Sequence, residues 1–182
     1  LMGFPIPNEE QPSLALGAIE VSLQDLVLAY SAFANYGDIP EPVLIEGIYD
    51  NTGKQIYHTS STVLKKAMSV EAAGTMNKML VNAVNEGTGK AMKSIYGVDS
   101  EIAGKTGTSQ DYSDAWFISY TEDMVCGVWV GAMSPSIHFQ TGANGSGSTL
   151  ALPIAGMLVN EMEESPTFSD DYLTVFNPVV ID

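Results

Sequence analysis

The residues best suited to chemistry stand together in residues 102–109, which read Ile-Ala-Gly-Lys-Thr-Gly-Thr-Ser. Lys105 provides a positive charge, and Thr106 and Thr108 provide hydroxyl groups on either side of Gly107. An apolar Ile-Ala pair precedes them, which predicts an extended strand that presents its backbone and short polar side chains to a ligand. Such a strand can bind and polarise a ligand, but it supplies no nucleophile.

The same run could be mistaken for the end of a phosphate-binding P-loop. That motif needs a glycine five residues before its second glycine, and it needs a helix after the lysine. Asp99 stands at the required position, Gly97 lies two residues too far upstream, and polar loop and strand follow Lys105. Because both the spacing and the context fail, the sequence argues against nucleotide binding.

Other chemical groups in the chain give weaker signals. His58 and His138 have no partners at metal-ligand spacing and lie in no recognisable catalytic turn, so we expect no metal, no cofactor and no Ser-His-Asp triad. The acidic clusters at 161–164 and 170–171 are typical of solvated ends. The Gly- and Ser-rich residues 142–147 could hold an anion at a helix N-terminus, although a plain flexible loop is the preferred interpretation.

Composition limits the possible partners. The 182 residues are 45% hydrophobic, which is enough for one sizeable domain with a single core. The net charge of −15, with seven lysines and no arginine, argues against binding nucleic acid or an anionic membrane surface through a basic patch. The single cysteine, Cys126, lies in an apolar run and is expected to be buried and inert.

The printed chain carries no sign of membrane insertion or export. No apolar run is long enough to span a bilayer, and no signal-peptide pattern is present. The chain starts with Leu1 rather than Met, in what reads as a connection, so we expect the numbering to begin inside a longer protein. The absence of targeting signals from this sequence therefore says nothing about that longer protein.

The elements around the lysine-containing strand follow from local signals. Ser22 is expected to cap a helix over 23–36, and residues 43–58 predict a small surface hairpin with its turn at 50–53. Ser69 is expected to cap a second helix. Its apolar face would consist of Ala72, Met76, Met79, Leu80 and Ala83. Residues 115–120 and 125–132 predict an antiparallel hairpin next to the lysine-containing strand.

The C-terminal part completes the predicted architecture. An apolar helix is expected over 150–162, and from Pro166 the chain reads as an acidic, mobile tail. Helices before and after an antiparallel sheet predict an α/β (α+β) fold. We therefore expect one domain over residues 1–165, with the hairpin at 43–58 as an appendage, and an acidic tail over 166–182.

Residues 103–109, followed by the Asp-Ala-Trp-Phe element at 114–117, resemble the third active-site motif of the penicillin-binding protein transpeptidases, most closely the class A (bifunctional) type. The Pro-Ser-Leu-Ala-Leu-Gly run at 12–17, the helix before Gly37 and the Asn-Glu-Gly-Thr-Gly run at 85–89 look like the same class. Several separate matches in the right order therefore cover nearly the whole chain up to about residue 162.

The resemblance implies the C-terminal part of the serine β-lactamase and penicillin-binding transpeptidase fold, with a role in peptidoglycan cross-linking. In that family a serine opens a peptide or β-lactam carbonyl, and the substrate carries a carboxylate. The motif lysine, here Lys105, keeps its charge and polarises the groups around the serine, while Thr106 and Thr108 would bind the carboxylate. The backbone N–H of Thr108 would help form the oxyanion hole, and Gly107 would let the substrate backbone approach the strand.

The family's other two motifs are missing from this sequence. No serine has a lysine three residues on, the nearest approximations being Thr62 or Ser61 with Lys65, and Ser-x-Asn does not occur. Both motifs precede the Pro-Ser-Leu-Ala-Leu-Gly segment in the family, so the resemblance implies a C-terminal part that is inactive alone. Asp114 and Trp116 would support the rim of the site rather than take part in chemistry.

Two functions follow from different classes. The first is a segment of a membrane-anchored peptidoglycan D,D-transpeptidase, outside the bacterial cell membrane and expected to accompany a glycosyltransferase domain. Its partners would be the stem peptide, β-lactams and the missing N-terminal part of the same protein. The second is a free-standing, non-catalytic module that binds peptides or a partner protein. We favour the first, because this strand has little use without a serine. A fragment should also expose apolar surface and an unpaired strand edge where the absent strands belong, and therefore associate or be poorly soluble.

Overall fold

The computed structural model describes Gly17, residues 19–59 and residues 64–179. The helices in these ranges are α1 (Leu23–Ala34), α2 (Val70–Asn85), α3 (Ala91–Ser94), α4 (Gly142–Gly145), α5 (Ala151–Glu163) and α6 (Pro166–Tyr172). The strands are β1 (Asp38–Pro40), β2 (Gly47–Tyr49), β3 (Gln55–His58), β4 (Leu64–Lys66), β5 (Ala103–Thr108), β6 (Asp114–Tyr120) and β7 (Val125–Gly131). Helices around antiparallel strands confirm the expected fold class.

The lysine-containing strand, β5, pairs as expected. Strands β5, β6 and β7 form one antiparallel sheet in that order, with Lys105 opposite Ile118 and Trp116 opposite Trp129. Two smaller antiparallel pairs, β1 with β4 and β2 with β3, lie outside this sheet. Among the described residues, no strand pairs with the outer edge of β5 or of β7. The sequence predicts one unpaired edge where the absent strands belong, and the described part of this sheet has two open edges.

The first two long helices begin at the predicted caps. Ser22 Oγ accepts a hydrogen bond from the backbone N–H of Asp25 (3.1 Å), and Ser69 Oγ accepts one from that of Ala72 (3.2 Å). Helix α1 stops two residues before the predicted Tyr36. Tyr36 adopts a left-handed φ of 48°, which is incompatible with continuing the helix.

The predicted buried face of α2 is partly wrong. Met79 is 61% exposed, and Ala72 is exposed as well. The helix instead buries Ala73, Gly74, Asn77, Leu80 and Val84. The face is rotated because the polar Asn77 is buried, where its amide donates to the Phe33 carbonyl oxygen (3.1 Å) and accepts from the Tyr120 hydroxyl (2.9 Å).

Buried side chains cover both faces of the three-stranded sheet, because successive strand residues point to opposite sides. One cluster joins the sheet to α2, α3 and α5 through Val84, Met92, Val98, Ile102, Phe117, Ala151, Leu152, Ala155 and Val159. The other consists of Ala34, Leu80, Ala103 and Tyr120, against which Tyr30, Phe33 and Phe176 pack. Cys126 is partly buried, and burial raises the pKa of its thiol, which disfavours the reactive thiolate.

The small hairpin forms at the predicted turn. Strand β2 pairs with β3, and the Asp50 carboxylate accepts hydrogen bonds from the N–H groups of Thr52 (2.8 Å) and Lys54 (3.0 Å). The first strand begins at Gly47 rather than at Val43. Large apolar side chains on and before the hairpin are exposed, namely Val43, Leu44, Ile45, Ile48, Tyr49, Ile56 and Tyr57. This apolar surface belongs to the hairpin appendage, and the apolar surface expected where the absent strands belong stays a prediction, as does association.

The C-terminal segment is not the mobile tail that the sequence suggests. After α6, the Phe176 ring meets the Tyr120 ring edge-on, with 5.6 Å between ring centroids. The backbone N–H and the side-chain amide of Asn177 both donate to the Glu122 carboxylate. The Tyr36 hydroxyl contacts the same carboxylate, and burial, with a smaller effect of Glu122, raises the pKa of Tyr36 to about 12. The segment is therefore fixed to the turn between β6 and β7.

Some expectations fall on residues outside the described ranges. These are the Pro-Ser-Leu-Ala-Leu run at 12–16, the near-motif residues 61–62 and the end of the tail at 180–182. The division of the chain at residue 165 stays a prediction. In the described part of the chain, no helix combines the length and the apolar composition that crossing a membrane requires.

Replacing Phe176 by Ala should lower the free energy of unfolding by about 1–3 kcal/mol, because the partly buried ring loses its contact with Tyr120. Val175→Ala is the matched control, since Val175 is 65% exposed and its loss should change stability by less than about 0.5 kcal/mol. Urea titration followed by tryptophan fluorescence measures both variants. Equal effects would contradict docking of this segment in solution.

Candidate functional site

Strand β5 brings the four predicted binding residues together at one of its ends. Thr106 and Thr108 share one face, and Lys105 and Gly107 lie on the other, because side chains alternate along a strand. The Lys105 side chain is exposed, and its Nζ donates to the Thr106 carbonyl oxygen (2.9 Å). Within the described ranges, the one ion pair joins β1 to β4, so the ammonium group of β5 has no carboxylate partner there.

The backbone of this strand end also offers hydrogen-bond donors. The Ser109 N–H donates to the Asp114 carbonyl oxygen at 3.0 Å, which defines a hydrogen-bonded pair of the antiparallel ladder. Such pairs alternate along the ladder, so the N–H groups of Thr106 and Thr108 point away from β6. Both groups therefore face the open edge of the sheet, where a ligand can reach them.

The Gly- and Ser-rich segment is not the plain flexible loop that the sequence favours. Residues 142–145 form α4, and Gly147 then packs onto β5, where its N–H donates to Thr108 Oγ1 (3.0 Å). A Cβ at position 147 would lie 2.3 Å from the Trp116 carbonyl oxygen and 2.4 Å from that of Gly107, so this approach requires glycine. Thr108 Oγ1 already accepts one hydrogen bond, and its own hydrogen is left for a ligand.

A second residue outside the predicted set reaches the strand. Thr88 Oγ1 lies 2.7 Å from Thr106 Oγ1. Thr88 belongs to the Gly-Thr-Gly turn after α2, which is folded back on the helix by a hydrogen bond from the Gly89 N–H to the Ala83 carbonyl oxygen (3.0 Å). The sequence pattern did not identify Thr88 as a site residue, because only the packing of α2 on β5 brings positions 88 and 106 together.

The segment that leads into β5 is held between two helices. The Glu163 carboxylate, at the end of α5, accepts hydrogen bonds from the backbone N–H groups of Asp99 (3.0 Å) and Ser100 (2.7 Å). Lys93 Nζ, at the end of α3, donates to the carbonyl oxygens of the same two residues at 3.2 and 3.1 Å. All four backbone groups are satisfied, so the start of the strand is well fixed.

The turn that follows β5 is held by a polar network. Ser109 Oγ accepts from the Asp114 N–H (2.9 Å), and the Ser113 hydroxyl donates to the Asp114 carboxylate (2.7 Å). The other carboxylate oxygen accepts from the Trp129 indole N–H at 2.9 Å, and the Trp129 ring lies 6.0 Å from that of Trp116. These contacts fit the supporting role expected for Asp114 and Trp116.

The two histidines lie apart from this strand. His58 Nδ1 is 3.1 Å from the Glu46 carbonyl oxygen, and His138 Nδ1 is 3.0 Å from that of Phe139. In residues 19–59 and 64–179, no group of three or more His, Cys, Asp or Glu side chains could hold a metal ion. The end of β5 combines an ammonium group, two hydroxyls and two backbone N–H groups, and donors of this kind can bind an anion.

The sequence matches proteins of one family. A model of the penicillin binding protein transpeptidase domain matches residues 3–154. Penicillin-binding protein 1A of Aquifex aeolicus is 36% identical over 142 residues, which are 78% of this chain and 19% of the relative. The Rickettsia typhi protein of the same name is 34% identical over 175 residues, or 83% of this chain and 22% of the relative. The chain thus spans about a fifth of the length of these curated relatives.

Solved structures share the fold at lower sequence identity. Penicillin-binding protein 1A from Haemophilus influenzae aligns with a TM-score of 0.72 and 21% identity, over 85% of this chain and 28% of that one. The PonA1 protein from Mycobacterium tuberculosis, in complex with penicillin V, aligns with a TM-score of 0.69 and 20% identity. That match covers 93% of this chain and 44% of the solved chain.

Gly147→Ala should destabilise the chain by about 2–3 kcal/mol, because the new methyl group would press on two carbonyl oxygens of the sheet. Gly142→Ala is the control: its Cβ would come no closer than 3.2 Å, to the Tyr112 ring, which can shift. Thermal unfolding followed by circular dichroism compares the two. A Gly147 variant as stable as the Gly142 variant would argue that the segment does not rest on β5.

Proposed function

The chain belongs to the penicillin-binding protein transpeptidase family, and on that premise we propose that it is the C-terminal segment of a serine D,D-transpeptidase domain. It supplies the Lys-Thr-Gly strand, β5, and the missing part of the domain supplies the serine that is acylated. The proposal is supported by the absence of Ser-x-x-Lys and Ser-x-Asn from this sequence. It is also supported by the coverage of the relatives, because the chain spans only about a fifth of their length. Alone, the chain would be inactive.

The observation that carries this proposal is the set of donors at the open edge of β5. In the proposed mechanism, the positive charge of Lys105 lowers the energy of negative charge near the acylated serine. The hydroxyls of Thr106 and Thr108 donate to the substrate carboxylate, and the outward Thr108 N–H donates to the oxygen of the tetrahedral intermediate. Gly107 leaves room for the substrate backbone beside the strand.

The local contacts support fixed donors rather than mobile ones. The Gly147 N–H donates to the Thr108 hydroxyl oxygen. Hydrogen bonds of Glu163 and Lys93 to the backbone of Ser100 hold the segment that leads into the strand. A donor that is already in place when negative charge develops loses little free energy to reorganisation. Donors fixed in this way meet what stabilisation of a developing oxyanion requires.

The substrates and location of the complete protein belong to the same proposal. We infer that it cross-links the stem peptides of peptidoglycan and is acylated by β-lactams, on the extracytoplasmic face of the membrane. An N-terminal anchor and a glycosyltransferase domain would belong to the class A parent. The relatives named penicillin-binding protein 1A and the penicillin V complex of PonA1 support this inference.

Intact-mass analysis with benzylpenicillin tests the proposal directly. The chain alone should show no mass increase, because it lacks the acylated serine, whereas the complete protein should gain the mass of one penicillin. An adduct on the isolated chain would overturn the assignment of the nucleophile to the missing part. No adduct on the folded complete protein would favour the alternative, a non-catalytic peptide- or protein-binding module.

Lys105→Met in the complete protein should lower the second-order rate constant of penicillin acylation by about 10²- to 10³-fold, because the positive charge near the acylated serine is lost. Lys54→Met is the matched control on the exposed hairpin, where the same loss of charge should leave the rate unchanged. Stopped-flow acylation with a chromogenic β-lactam measures both variants. Comparable rates for the two would remove Lys105 from the proposed mechanism.

A further inference from the structure

The contact between Thr88 and Thr106 has two possible directions. Their Oγ1 atoms are 2.7 Å apart, and either hydroxyl can be the donor. Each hydroxyl carries one hydrogen and can accept two hydrogen bonds. If Thr106 donates to Thr88, its hydrogen is occupied and its oxygen presents only lone pairs to a ligand. If Thr88 donates to Thr106, the Thr106 hydrogen remains available.

A bound carboxylate decides between these directions. An ionised carboxylate only accepts hydrogen bonds, so it repels a hydroxyl that turns lone pairs toward it. It favours the opposite arrangement, in which Thr88 donates to Thr106 and Thr106 donates to the carboxylate. A hydroxyl that accepts one bond also becomes a stronger donor, which favours this chain further.

We propose that Thr88 is a positioning residue for substrate recognition: it donates to Thr106 and thereby aims the Thr106 hydroxyl hydrogen at the carboxylate of the substrate. The inference rests on the proposed carboxylate-binding role of Thr106. Thr88 acts through its neighbour, so it needs no contact of its own with the substrate.

The packing around Thr88 supports a fixed position for its hydroxyl. Val84 is fully buried at the end of α2 and lies between the Gly-Thr-Gly turn and β5. A Cβ at Gly89 would lie 3.0 Å from Val84 Cα, and a Cβ at Gly104 would lie 3.3 Å from Val84 Cγ2. The turn, the helix end and the strand therefore form one packed unit. This packing, rather than a backbone hydrogen bond between the turn and the strand, keeps Thr88 next to Thr106.

The exposure of the two hydroxyls fits this role as well. Thr106 is partly buried and Thr88 is exposed. At an exposed position water can replace either partner, so removing the pair should cost little stability and its effect on ligand recognition can be measured on a folded variant.

The test compares acylation of the complete protein by benzylpenicillin and by its methyl ester, which lacks the carboxylate charge. Thr88→Val keeps the shape of the side chain but removes the donor. It should lower the second-order rate constant for benzylpenicillin about three- to tenfold, the effect of one hydrogen bond, and leave that for the ester unchanged. Thr88→Ser, which retains a hydroxyl, should restore most of the rate.

Two controls sharpen the result. Thr75→Val changes an exposed threonine within α2, whose hydroxyl donates to the Glu71 carbonyl oxygen, and should leave both rates unchanged. In a Thr106→Val background, Thr88→Val should have no further effect, because the two residues act as one unit. Rates are normalised to the fraction of protein that is acylated at saturation.

The outcomes separate the two proposals. Unchanged benzylpenicillin rates in Thr88→Val, or an equal loss with the acid and the ester, would overturn the role of Thr88 and leave the transpeptidase proposal intact. Full additivity with Thr106→Val would also overturn it. No acylation of the unmodified protein by either compound would overturn the transpeptidase proposal itself, and the role of Thr88 with it.

Discussion

The described site depends on how closely other parts of the chain approach the backbone of β5. Gly104 admits Val84 on one side of the strand, and Gly147 rests on the carbonyl oxygen of Gly107. At both glycines, neighbouring atoms occupy the space that the Cβ of any other residue would need. Close packing of this kind excludes sliding or tilting of the strand, because interiors are packed at near-crystalline density. The positions of the Lys105, Thr106 and Thr108 groups follow from this constraint.

Polar contacts then hold the side chains that carry the donors. Thr108 receives a hydrogen bond from the Gly147 backbone, and Thr106 is paired with Thr88. The entry to the strand is held by Glu163 and Lys93 through four backbone groups. The strand end can therefore concentrate donors toward an anion even though the chain as a whole has a net charge of −15. Short-range hydrogen bonds, rather than the overall field, would hold such a ligand.

Local signals predicted much of this fold, and long-range contacts account for the differences. The caps at Ser22 and Ser69 and the order of the three strands were readable because each depends on residues close in sequence. The buried face of α2 could not be predicted in the same way, because Asn77 forms its hydrogen bonds with Phe33 and Tyr120, more than 40 positions away. The docked C-terminal segment and the contacts of Gly147 and Thr88 with β5 were missed for the same reason.

The glycine contacts limit how this region can change during evolution. The obstacles at Gly89 and Gly147 include backbone atoms, which no second substitution can remove, and at Gly104 a Cβ would lie 2.8 Å from the Ile118 carbonyl oxygen. Substitutions that retain the fold are therefore easiest at side chains that point away from these glycine contacts. A lineage could retune ligand preference at Thr88, Thr106 or Thr108 while the backbone beneath them stayed the same. Substitution is therefore restricted at the glycine positions, whereas the hydroxyl-bearing side chains can change without a clash with this backbone.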